Sequence, residues 1–314
     1  KQEVDSLLSS QHLYIAETLR SLLQDGDPFR TFRAGNAVLS CAKTAFLAQK
    51  GLMKELFLLV LAGAVLGSFS SLFEGKQVRD ASFYMVYLLA LALILKNFQS
   101  SGENLKAVIT SLVAFMRILT PSYYLAAAAA GGASSAVMFY QMLLLVILAV
   151  EKLLLALVLP MIHIYLLIAL VNDLSGEEIL SHMTELLETC VNGLLKSSLG
   201  VLVGMQMIRN LIAPALDSLR QMALWRTAGM IPGIGNAVNA VTELVAGSAV
   251  LIRNCFGVTA MLVLLAAGMV PAVQLLVSGL SFRLLAAAAQ PVSDKRIAGC
   301  LAAAGKGYAM LLRL

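Results

Sequence analysis

Residues 56–73 read LFLLVLAGAVLGSFSSLF, 18 consecutive positions without a charge, closed at once by the charged turn EGKQVRD. A helix of about 20 mostly apolar residues crosses roughly 30 Å of hydrocarbon, so this stretch reads as a membrane span. The sequence on its C-terminal side repeats the pattern. A second apolar stretch follows at Ala81 to Leu95. Leu105 to Ala130 is next, interrupted by Arg117 and Pro121 and ending at Gly131 and Gly132, which suits a broken or re-entrant element. Ala133 to Val171 is too long for one crossing and carries Glu151 and Lys152 at its middle, so two spans are expected to meet there, the second kinked by Pro160. The acidic stretch Asn172 to Thr189 must leave the hydrocarbon. Further spans are expected at Ser197 to Leu216 and Phe256 to Leu280, with Gly229 to Leu251 between them and a last apolar segment from Ile297. The fold class is therefore all-α: a polytopic helical membrane protein with about six to eight spans or re-entrant helices.

Composition supports that reading over the whole chain. Of 314 residues 59% are apolar and 13% charged, with a mean hydropathy of +0.84, against about 45–50% and 25% in ordinary soluble domains. The net charge of +5 comes from 23 Lys and Arg scattered between apolar stretches, so they read as anchors near lipid headgroups and no nucleic-acid partner is expected. Cys41, Cys190, Cys255 and Cys300 are far apart with no CxxC pair, which signals neither a zinc site nor a disulfide framework.

Upstream of the first span, residues 1–53 form an amphipathic lead-in, with Val4, Leu7, Leu8, Leu13, Ile15, Leu19, Leu22 and Leu23 at helical spacing. The chain opens at Lys1 with no initiator Met, so a removed leader is expected, and it closes on YAMLLRL, an apolar run expected to continue. The remainder divides into two unequal halves, 54–198 and 199–314, expected as a tandem repeat in which Pro160 corresponds to Pro271.

The candidate packing or conduit positions are small residues, prolines and two charges. Gly63 with Gly67, and Gly200 with Gly204, are GxxxG pairs that let helices approach closely, although such pairs also arise by chance in apolar helices. Pro232, Gly233, Gly235 and Gly247 belong to the small-residue segment that also holds Glu243. Glu243 and Arg253 lie ten residues apart, close to three helical turns, and so share roughly one face. That face lines a pore or grips a partner, or else lies in water at the interface. His163 reads as a packed neutral imidazole before a proton relay, having no carboxylate within a turn; His182 reads as part of a solvated acidic face before a metal ligand. There is no GxSxG elbow, no HExxH and no Walker loop, so no enzyme and no cofactor is expected.

Through IPGIGNAVNAVTELVAGSAVLIRNCFG (Ile231 to Gly257), AFLAQKG, KELFLLVLAGAVLGSFSSLF and LPMIHIYLLIALV, the sequence resembles the stage III sporulation protein AE family of endospore-forming bacteria. The resemblance implies a multi-span protein of the mother-cell membrane around the forespore, made with a cleaved leader. It implies a role in a secretion-like channel complex needed for late forespore gene expression. The implied partners are the other membrane subunits of the same sporulation operon, a partner in the forespore membrane and lipid, with self-association as a further option. No catalytic residue is carried over. Two rival readings are a secondary transporter, suggested by repeats and broken helices but short of buried carboxylates, and a membrane scaffold without a pore.

Overall fold

The computed structural model describes residues 34–70, 76–129, 134–175, 180–228, 235–291 and 293–314. Among them there is no strand. The described residues form seven α-helices: α1 (Ala34–Ser70), α2 (Lys76–Ala129), α3 (Ser134–Leu153), α4 (Leu159–Ser175), α5 (Ser181–Ala228), α6 (Gly235–Ala289) and α7 (Lys295–Arg313). A π turn, Leu154–Val158, joins α3 to α4 without interruption.

Two departures from the sequence reading have local causes. The stretches 81–95 and 105–130 are not separate elements, because α2 runs through both for 54 residues. The intervening NFQSSGENLK reads as a loop by polarity, but Phe98 and Leu105 within it are buried, and its polar side chains bond along the helix. Gln99 Nε2 donates to Glu103 Oε1 at 3.2 Å, and the Ser101 hydroxyl donates back to the Asn97 carbonyl at 2.9 Å. A single Gly102 costs a helix only about 1 kcal/mol, too little to end it. Pro121 does not end it either, and Thr120 Oγ1 donates to the Met116 carbonyl at 2.5 Å just before it.

Pro160 has the opposite effect. It has no N–H to give the Ala156 carbonyl, and immediately before it the helix widens: the Leu159 N–H donates five residues back, to the Leu154 carbonyl. The two expected spans of 133–171 therefore form one helical run with a π turn directly after Glu151 and Lys152.

Four helical stretches are long and apolar enough to cross a membrane among the described residues: Phe83–Thr120, Gln141–Ser175, Ser181–Ile212 and Ala260–Ala289. The expected span 56–73 falls largely on α1, and its residues 71–73 lie outside the described residues. What identifies the solvent is the outer face. On α4, Leu166 and Leu170 are fully buried while Ile164 and Leu167 are half exposed, at 49% and 50%. A helix against water carries polar residues on its outer face. Here both faces are apolar, as hydrocarbon requires.

The chain forms two compact units, each built from interleaved segments. The first takes the described residues of Ile109–Lys152 and Lys196–Ala267 and leaves much apolar surface outward, including Leu199, Val203, Met207 and Leu211 on α5. The second takes the described residues of Ala16–Val108, Leu153–Leu195 and Gly268–Leu314. Its core comprises Leu56 and Val60 of α1; Tyr87, Ile94 and Phe98 of α2; Ile162, Leu166 and Leu170 of α4; Phe282 of α6; and most of one face of α7.

Candidate functional site

The second unit is organised around α7. This helix starts at Asp294, whose carboxylate accepts from the Arg296 N–H at 3.1 Å and caps it. One face carries Gly299, Cys300, Ala303, Ala304, Gly305 and Gly307, while Lys295, Lys306 and Arg313 stay exposed. Because hydrocarbon gives packed helices no hydrophobic drive to associate, close approach through small side chains has to supply the contact.

Neighbours occupy the space that side chains on that face would take. A Cβ on Gly299 would lie 3.1 Å from the Asp173 carboxylate carbon, and one on Gly307 would lie 3.0 Å from the Phe98 ring and 3.5 Å from Leu166. Since Gly299 meets Asp173 and Gly307 meets Leu166, α7 runs antiparallel to α4. The Ile297 side chain lies 3.7 Å from where a Cβ on Gly63 of α1 would stand, and Arg313 donates to Asn192 of α5 at 2.9 Å. A Cβ on Gly279 of α6 would lie 3.2 Å from the Tyr308 Cβ, so five helices meet on one.

Tyr308 is a fully buried polar group of this hub. Its ring stacks on Phe282 with centroids 5.2 Å apart and meets the Phe98 edge at 5.1 Å. Its hydroxyl accepts from Asn97 Nδ2 at 2.7 Å and lies 3.3 Å from Ser101 Oγ. Burial pushes the Tyr308 phenol up to about 12 even though the Ser101 and Asn97 hydrogen bonds pull it down, so it stays protonated. Burial also pushes the Cys300 thiol up to about 12. On α4, His163 Nδ1 lies 2.9 Å from the Leu159 carbonyl, which can only accept, so Nδ1 carries the hydrogen. Its ring sits against Gly102 and the Phe98 edge, a packed position.

Beside this seam lies a small recess of about 40 Å³ between α2 and α6. Leu105, Pro271 and Leu275 form its apolar walls, and Ser101, Asn104, Gln274 and Ser278 give it polar groups. These positions follow helical spacing, three and four apart on each helix, so each set shares one face.

The sequence candidates fall into four groups. Gly63 and Pro271 are in packed surroundings: a Cβ on Gly63 would be 3.0 Å from Val86, and Pro271 is buried. Gly200, Gly204 and Gly247 have open space where a Cβ would go, and Pro160 is exposed. Pro232 and Gly233 lie outside the described residues. Gly67, Gly235, Glu243 and Arg253 stand on helices, but their surroundings lie outside the description. Among the described residues no three His, Cys, Asp or Glu converge as a metal would need.

Sequence reasoning does not single out Tyr308, Asn97, Ser101, Gln274 or Ser278. Their signal is polar residues three or four apart inside otherwise apolar helices, Gln274 and Ser278 directly after Pro271 being the clearest case.

Residues 13–314 match the family described as stage III sporulation protein AE. A relative from Bacillus subtilis (strain 168), named "Stage III sporulation protein AE", is 23% identical over 256 residues. The alignment covers 81% of this chain and 64% of that relative, so the chain spans less than two thirds of its length. No solved structure matches the chain.

Proposed function

The chain belongs to the stage III sporulation protein AE family, and from that premise we propose that it is a non-enzymatic membrane subunit of a transenvelope channel complex linking mother cell and forespore. The observation that carries this reading is the coincidence of a family match over residues 13–314 with four helical stretches able to cross a bilayer. In this reading the protein resides in the mother-cell membrane around the forespore. It assembles there with the other membrane subunits of its operon and with a forespore membrane partner, and the complex sustains late forespore gene expression.

Three glycines of α5 and α6 suit such assembly. Among the described residues Gly200, Gly204 and Gly247 have no neighbour within 4 Å of a Cβ position, which leaves room to meet another subunit. Deleting the gene in its spore-forming host and returning a tagged copy tests the proposal. The expected result is loss of late forespore expression on deletion, with restored expression and co-purified operon partners on return. Normal sporulation in the deletion strain would overturn it.

A secondary transporter is the second reading, favoured by the polar recess beside Pro271 in a long apolar helix. Substrate-dependent uptake by the purified protein in liposomes would select it.

A further inference from the structure

We infer that the recess between α2 and α6 is a binding site for a single partly dehydrated alkali cation. Four of its lining residues, Ser101, Asn104, Gln274 and Ser278, carry a neutral side-chain oxygen. Ser101 is poised to accept. Its hydrogen is committed to the Asn97 carbonyl at 2.9 Å, so towards Tyr308, 3.3 Å away, it accepts, and one lone pair remains for a ligand. Among the described residues Asn104, Gln274 and Ser278 form no side-chain hydrogen bond, which leaves their oxygens available.

The chemistry of the lining excludes the other ions. No Lys or Arg lines the recess, and Pro271 contributes no N–H, so an anion would find only weak neutral donors. No carboxylate lines it either. Calcium sites use carboxylates, and magnesium gives up its water reluctantly, so neutral oxygens suit neither. Neutral oxygens do replace the hydration shell of a monovalent cation where the local dielectric is low. The size agrees: 40 Å³ holds a water-sized ion with one or two waters, each water needing about 10–15 Å³. The Tyr308, Asn97 and Ser101 hydrogen bonds fix one side of the site, and the exposed Asn104 marks its mouth.

The test uses the full chain purified in lipid nanodiscs, with radioactive sodium or rubidium as probe and choline chloride holding ionic strength constant. Saturable binding of one of the two, near about one ion per chain, is expected, with loss of binding in the Ser278→Ala, Gln274→Leu double variant. Saturable binding of neither ion, or binding retained in that variant, overturns the inference. A second measurement does not depend on the double variant folding well. Alkylation of Ser278→Cys by a hydrophilic thiol reagent should slow several-fold in sodium or potassium relative to choline, and an unchanged rate contradicts the site.

Discussion

Among the glycines with described surroundings, Gly102 leaves the least room for a Cβ, because His163 lies against it. A Cβ on Gly102 would stand 2.6 Å from His163 Cε1 and 2.8 Å from Nε2, closer than real Cβ atoms come to any neighbour. Gly102→Ala is therefore expected to destabilise by roughly 1–3 kcal/mol, as overpacking does. In a His163→Ala background the same change should cost little, because the obstructing ring is gone. Thermal unfolding of the four proteins in detergent reads this directly, and equal losses in both backgrounds would show that the ring does not enforce the glycine.

The two cysteines with described surroundings make a second residue-scale contrast. Cys190 is exposed and Cys300 is buried. Burial raises the Cys300 thiol to about 12, so its reactive thiolate appears only as pH rises towards that value. In a variant with Cys41 and Cys255 changed to Ser, maleimide at pH 8 should modify Cys190 alone, with Cys300 reacting after denaturation. Equal labelling of both in the folded protein would place Cys300 at an accessible surface.

At the scale of elements, glycines divide into those that seat a neighbour and those that face open space. Gly307→Leu should lower the unfolding temperature of the isolated protein markedly, because Phe98 and Leu166 occupy the space. Gly200→Leu and Gly247→Leu should leave that temperature nearly unchanged, since nothing lies within 4 Å. If either of the latter still blocks sporulation, its helix face meets another subunit. A large unfolding shift for Gly200→Leu would contradict the packing described for α5.

Hydropathy makes the crossings of α4, α5 and α6 legible, because a run of apolar residues has one meaning whatever its neighbours do. It cannot show that α2 is continuous. Polarity in NFQSSGENLK resembles a loop, but Phe98 and Leu105 within it are buried against partners that hydropathy does not show. Nor can it reveal α7 as the hub. Its small, one-sided apolar face reads as a weak span, and its partners Asp173, Phe98 and Gly63 are remote in sequence. His163 is readable as a packed ring from the lack of nearby carboxylates, but Gly102 opposite it is not.

At the scale of the whole molecule, helices of this length extend past any bilayer. The 54 residues of α2 make about 80 Å of helix at 1.5 Å per residue, where about 30 Å of hydrocarbon needs crossing. Each long helix thus has chain available both in lipid and beyond it. Ile164, Leu167, Leu199 and Leu211 are among the large apolar side chains left outward, an arrangement that costs heavily in water and nothing in lipid. Extraction of host membranes is the most direct test of that central claim. The protein should stay in the pellet through alkaline carbonate washing and enter solution only with detergent. Release by carbonate as a monodisperse soluble species would contradict it.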